Sequence, residues 1–263
     1  MRLDDYLNRL GFPRNLEPAA DTLRRLHVAH RETFLFENLS IQCGGGISLA
    51  LADLERKFLD RGRGGYCFEH NTLFRTALGE IGFNAATLLG RVRRGPPERW
   101  CRTHMVLRVP IGGEPWLADV GFGATGTLEP LPLRDGAPST QGGFTYALRR
   151  ENHLWVLSMS DATAATQDLY EFSDEPQTPW DIEVANHFTS THPESIFRRT
   201  LTIQRSRRAE RLVLRSDVLE RYRDGRVTSE TIDRSEWPRL ARELFDLTLP
   251  PGPYVCDESV LRT

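Results

Sequence analysis

Lysine is all but missing from this chain: Lys57 is the only one, and nearly every other positive charge is arginine. That bias reads as genomic composition and carries no function. Long apolar runs are missing too. None approaches the ~18 residues a membrane-spanning helix requires, and Met1 to Arg14 alternates charge with apolar residues, unlike a signal peptide. A soluble, cytosolic protein without a membrane partner is therefore expected. Charge of one sign is not in excess, since the formal net charge is -2. Such a chain has no global field to recruit nucleic acid. Low-complexity stretches and internal repeats are absent, and the 16 prolines and 21 glycines are scattered. The four cysteines, Cys43, Cys67, Cys101 and Cys256, form no Cys-x-x-Cys pair. In a reducing compartment they are expected as thiols. Gly44-Gly45-Gly46 lacks the lysine-serine/threonine ending of a nucleotide-phosphate loop.

What is present is enough apolar residue, 39% of 263, to build a core with two or three lobes. The first third reads helical. Leu23, Leu26, Val28 and Ala29 form a stripe that breaks near Phe34, and Ser48 is placed to cap a helix through Leu51, Leu54 and Phe58 to about Arg61-Gly62. Leu73, Phe74, Ala77, Leu78 and Ile81 predict a helix starting close to Cys67 and stopping at Gly82. Beyond it the pattern becomes short apolar runs bounded by Gly and Pro. Ala85 to Val92, Met105 to Val109, Trp116 to Val120, Phe144 to Leu148 and Leu154 to Met159 read as strands of an antiparallel sheet or barrel. A helix around Trp180 to Phe188, strands near Leu201 to Gln204 and Arg211 to Leu214, and a helix from Ser235 toward Leu247 complete an α+β chain. The arginines of Arg205 to Arg211 read as a solvated face on a sheet edge.

Cys67 is the most informative residue. Two glycines before it permit a tight turn, and a helix beginning there aims unpaired N–H groups at the sulfur. Both features favour thiolate, the nucleophilic form. A cysteine nucleophile needs a base, and the base an orienting partner. His104 heads one predicted strand and Asp119 ends the next, joined by the Pro110 to Pro115 connection. His104 would take the thiol proton through one ring nitrogen while Asp119 accepts from the other. A thiolate–imidazolium pair is the expected resting state. Taken singly, each residue has an ordinary alternative: a buried small hydrophobe, a satisfied core histidine, a turn aspartate.

Arg63-Gly64-Gly65-Tyr66-Cys67-Phe68-Glu69 resembles the nucleophile motif of the arylamine N-acetyltransferases. Thr103-His104, Asp119-Val120-Gly121-Phe122-Gly123 and Phe36-Glu37-Asn38-Leu39 are similar to further motifs of that family, in order and spacing. Glu183-Val184-Ala185-Asn186 and the segment from Ser190 to Phe197 resemble its passage into a third lobe. The likeness runs to about Phe197 and is diffuse afterwards; Leu35 stands where many relatives have proline. The resemblance implies a helical bundle (1–83), an antiparallel β-barrel (84–185) and an α/β lid (186–263), with a cysteine-protease-like triad of Cys67, His104 and Asp119. It also implies an acceptor pocket lined by Phe36, Phe122 and Phe197, and coenzyme A contacts at Gly126 and Thr127. The implied reaction passes acetyl from acetyl-coenzyme A through acetyl-Cys67 to an arylamine, arylhydrazine or N-hydroxyarylamine, with no metal. Arg63 and Glu69 would form an ion pair holding the turn.

Two other outcomes fit the same residues. Water as acceptor would give a cysteine hydrolase, and an acyl chain taken from a carrier protein would give an amide synthase. Cys67-x-x-His70 and Cys101-x-x-His104 also have a spacing compatible with a structural zinc site, which would make the chain a metal-stabilised binding module.

Overall fold

The computed structural model describes residues 1–258. Its helical part contains α1 (Leu3–Leu10), α2 (Ala20–Thr33), α3 (Leu39–Gln42), α4 (Leu51–Glu55) and α5 (Cys67–Ile81). Helix α2 ends at Phe34, which turns extended as the apolar stripe predicts. Helix α5 runs as expected from Cys67 to a left-handed Gly82, whose N–H closes on Leu78 O. Ser48 is not the cap of α4. Ala50 holds that position, and Ser48 Oγ instead accepts from Ala50 N–H and donates to Asp53. The helix then widens into a π-turn over Arg56–Asp60.

Eight strands form one antiparallel sheet: β2 (Ala86–Val92), β3 (Arg102–Ile111), β4 (Glu114–Ala118), β5 (Leu131–Pro132), β6 (Pro138–Gln141), β7 (Phe144–Glu151), β8 (Leu154–Ser160) and β9 (Thr166–Ser173). Their order is β5-β4-β3-β2-β9-β8-β7-β6, a nearly closed barrel. Leu88, Val106, Leu117, Phe144, Leu157, Leu169 and Tyr170 fill its interior. The strand expected over Trp116 to Val120 stops at Ala118. The physical reason lies in the next two amides: Asp119 N–H donates to His27 and Val120 N–H to Asn71, so neither is free for a ladder. Strand β9 carries Asp168, paired with Arg93 and Arg149, and the buried Glu171, paired with Arg93. Those charges conceal it in the sequence.

After α6 (Pro179–Thr191) and the short α7 (Ile196–Arg199) comes a second antiparallel sheet. It comprises β1 (Phe36–Glu37), β10 (Thr202–Ser206), β11 (Arg211–Arg215), β12 (Val218–Arg223) and β13 (Arg226–Thr231), in that order. The β1 strand comes from the helical part. Phe36 pairs with Gln204 on one side and bridges Gly65 on the other, so the C-terminal sheet abuts the turn before Cys67. Helix α8 (Trp237–Phe245) covers this sheet through Trp237, Leu240, Ala241 and Phe245, and α9 (Val255–Glu258) ends the described chain. The mixed architecture has the α+β composition expected. Arg211 departs from the solvated-face reading. It sits in the middle of the sheet order, 1% exposed, and donates to Ala124 O, Gly126 O, Gln141 O and the Tyr146 hydroxyl. Four acceptors compensate its desolvation. Among the described residues, no helix is long and apolar enough to cross a membrane.

Candidate active site

The turn Arg63–Tyr66 that delivers Cys67 is built from close backbone approach. A Cβ on Gly64 would lie 1.6 Å from Leu35 O, so only glycine fits there. Gly65 N–H donates to Leu35 O, and Glu37 N–H donates to Gly65 O. Glu69 reaches back to accept from Tyr66 N–H at 3.1 Å, one half of a capping box. The ion pair expected between Arg63 and Glu69 is absent. Arg63 grips Glu37 with two donors at 2.8 and 3.0 Å, and Glu69 takes Lys57 at 2.7 Å. The solitary lysine also lies 3.8 Å from Glu37, between two buried carboxylates. Burial raises the Glu69 carboxyl, and Lys57 opposes that rise.

Cys67 opens α5 and is 3% exposed. Its Sγ donates to Thr103 O at 3.8 Å, which places the sulfur against the start of β3. One residue on, His104 Nε2 lies 2.7 Å from Asp119 Oδ2. Leu107 is paired with Ala118, so Asp119 stands just beyond the ladder and its carboxylate turns back to His104. Burial alone would raise Asp119, but His104, Asn71 and Gly121 N–H together hold its carboxyl well below the usual range. Asp119 is thus an ionised acceptor, and Nε2 carries the proton of that hydrogen bond. Burial pushes the Cys67 thiol up, against the resting thiolate expected from the sequence, while hydrogen bonding to backbone at Met105 and Phe68 works to lower it.

Asn71, one turn after Cys67, binds the pieces together. Its Nδ2 donates to Met105 O and to Asp119 Oδ1, and its Oδ1 accepts from Val120 N–H. Gly121 then packs on Cys67: a Cβ there would meet Cys67 Cα at 2.8 Å and Asn71 Nδ2 at 2.6 Å. Phe122 follows, its ring edge-on to His104 and tilted to Tyr170, each with centroids 4.9 Å apart. Phe36 and Phe197 lie together at 6.0 Å, with Tyr66 edge-on to Phe197 at 5.3 Å. Tyr66 is itself fixed by its hydroxyl to Asn186. Gly126 packs beneath Phe122, and its carbonyl accepts from Tyr146 and Arg211. The Thr127 hydroxyl is buried and has no hydrogen-bond partner among the described residues.

Of the residues in the zinc reading, His70 is already committed: it spends one nitrogen on His30 and the other on Leu35 O.

The sequence profile of the N-acetyltransferase family matches residues 19–253. The chain belongs to the arylamine N-acetyltransferase family. It is accordingly an enzyme, an acyltransferase. An arylamine N-acetyltransferase of Escherichia coli is 36% identical over 204 residues, covering 77% of this chain and 72% of that protein. One from Mycolicibacterium smegmatis is 35% identical over 231 residues, 86% of this chain and 84% of its own. Among solved structures, the Nocardia farcinica arylamine N-acetyltransferase superposes with a TM-score of 0.88 at 36% identity, over 95% of this chain and 90% of that one. The Mycobacterium marinum enzyme in complex with CoA gives 0.86 at 33% identity, over 93% and 92%.

Asn71 and His27 were not marked by the sequence reading. Asn71 had a legible signal, since position i+4 from Cys67 on a helix lies on the same face. His27 had none: it looks like any polar residue within an amphipathic helix.

Proposed function

We propose that the chain transfers acetyl from acetyl-coenzyme A to a neutral aromatic amine or hydrazine, with Cys67 as the covalent carrier. His104 is the base and Asp119 its orienting partner, and the helical, barrel and lid lobes divide near residues 83 and 185. The observation that carries this reading is the 2.7 Å His104–Asp119 hydrogen bond one residue from the carbonyl that Cys67 touches. Asp119 fixes the Nε2–H tautomer, so Nδ1 is left with a lone pair to accept the thiol proton.

Proton transfer from Cys67 to His104 Nδ1 supplies the attacking thiolate. The sulfur adds to the thioester carbonyl, the tetrahedral intermediate expels coenzyme A as thiolate, and the imidazolium returns its proton to that leaving group. The amine lone pair then attacks acetyl-Cys67. His104 takes the amine proton as the intermediate collapses, and the cysteine thiolate leaves. The first exchange swaps thioester for thioester, and the second forms an amide and runs downhill. An arylamine or arylhydrazine suits the second step because it is weakly basic and arrives unprotonated at pH 7; an N-hydroxyarylamine fits the same pocket. Phe36, Phe122 and Phe197 supply flat apolar surface that favours such acceptors over water. Gly126 and Thr127 are the proposed coenzyme A contacts.

Intact mass after mixing with acetyl-coenzyme A alone tests the reading. One added acetyl group is expected, removed on adding an arylamine and absent in Cys67→Ala. Release of coenzyme A without any N-acetylated amine would turn the assignment to a hydrolase.

A further inference from the structure

We propose that His27, which hydrogen-bonds to neither Cys67 nor His104 among the described residues, is a positioning residue that sets the backbone of Asp119 and clamps both ends of the loop 119–128. The imidazole is fully buried in α2 and sits edge-on to Phe74 of α5. Its Nε2 lies 3.1 Å from Asp119 N, and its Nδ1 lies 2.8 Å from Leu128 O. A backbone N–H can only donate and a carbonyl can only accept. The tautomer is therefore forced: neutral imidazole, proton on Nδ1, lone pair on Nε2. One ring thus joins two points nine residues apart in sequence.

Arg31, one turn farther along the same helix face, donates to Gly123 O at 2.5 Å and to Ser206 Oγ at 3.1 Å. Helix α2 consequently grips the loop at residues 119, 123 and 128. From the opposite side Gln204 accepts from Ala124 N–H, and Arg211 donates to Ala124 O. The loop between those grips presses Gly121 on Cys67 and Phe122 on His104. Asn71 and Gly121 N–H hold the Asp119 carboxylate, but only His27 holds its amide among the described residues. Carboxylate and main chain are thus fixed along two directions. Losing the second lets the carboxylate rotate against His104 without removing any group that touches the reacting atoms. Loss of an N–H acceptor also leaves the buried Asp119 amide unsatisfied.

This inference rests on the acyl-transfer reading, yet its test does not need acetyl-coenzyme A. His27→Gln retains one donor and one acceptor, whereas His27→Leu has neither. Iodoacetamide labelling is followed at the Cys67 peptide across pH, because Cys43 and Cys101 are exposed. The Leu variant is expected to label more slowly with a midpoint moved to higher pH, and to lose about 100-fold in acetyl transfer, the scale of a misplaced catalytic group. The Gln variant is expected to stay within about threefold of the unaltered protein. A folded Leu variant with an unchanged labelling profile overturns the proposal, and so does a Gln variant as impaired as the Leu one. Should the Leu variant not fold, imidazole 15N spectra of the unaltered protein decide, with His27 assigned among the seven histidines by its loss in His27→Gln. A pyrrole-type Nδ1 and pyridine-type Nε2 are expected, and the reverse pattern or an imidazolium at pH 7 overturns the assignment. If the unaltered protein never forms acetyl-Cys67, the acyl-transfer reading falls, while labelling and tautomer still judge His27.

Discussion

Asn71 lies one helical turn beyond Cys67, and its Nδ2 donates to Asp119 Oδ1 over 3.0 Å. A single amide thereby ties the helix that bears the sulfur to the carboxylate that orients the imidazole. Replacing Asn71 with Ala strands Met105 O and Val120 N–H inside the protein as well. A loss of about 2–4 kcal/mol in unfolding free energy is expected, from desolvated groups left unpaired. Urea denaturation measures it, and a change below about 1 kcal/mol would refute the tie.

Asp119→Asn keeps the shape of the side chain but removes the charge that retains the proton on His104 Nε2. The imidazole can then adopt the other tautomer, and Nδ1 ceases to be a base. Acetyl transfer is expected to fall by about 10⁴-fold, as with other triads, and Cys67 alkylation to require higher pH. Stopped-flow alkylation with unchanged rate and pH midpoint would remove Asp119 from the proposed role.

Lys57→Met tests the solitary lysine. Burial already raises Glu69, and removing Lys57 raises it further. A carboxyl with a raised pKa in the folded state binds a proton more readily there than in the unfolded chain. Its penalty is thus largest above the folded pKa and fades as pH falls through it. The variant is expected to lose about 3 kcal/mol at pH 7 and distinctly less at pH 5. An equal loss at both values would exclude Glu69 as the cause.

Three buried histidines make acid stability a second test. Burial lowers His27 and His70 to about 4 and His30 well below its ordinary value. The unfolded chain takes up these protons near pH 6.5 while the folded chain resists. Stability must then fall as pH drops from 6.5 toward 4, by roughly 2 kcal/mol per histidine at pH 5. Urea midpoints at pH 7.5 and 5 report it, and His70→Leu is expected to flatten the slope.

Gly121→Ala places a methyl group against backbone atoms of Cys67. Overpacking of about 1–3 kcal/mol is expected, together with at least a tenfold loss of Cys67 acetylation. A fully active alanine variant would show that the two segments are not held in contact.

Periodicity made α2 and α5 legible, and glycine and proline punctuation outlined β2, β3, β7 and β8. Cys67 stood out through the two glycines before it and the helix start that follows, whereas His104 and Asp119 were joined to it by the resemblance to the family's motifs. Other features were hidden for identifiable reasons. Strand β13 is exposed throughout, so it lacks apolar alternation. Arg63 was matched with the wrong carboxylate because its partner, Glu37, is 26 residues away in sequence. Arg211 looked solvated because four acceptors, drawn from separate segments, meet it only in the folded chain. The polarity of His27 likewise reveals nothing until Asp119 and Leu128 arrive at its two nitrogens.

The two-residue strand β1 has a consequence for dissecting this protein. Its Phe36 touches Gly65 on one flank and Gln204 on the other. Cutting the gene near codon 200 would therefore peel away the backing of the nucleophile turn, although every proposed reacting residue would survive in the truncated product. A single phenylalanine backbone thus couples the turn before Cys67 to a strand about 170 positions later, and a truncation at that seam is expected to lose soluble, folded protein.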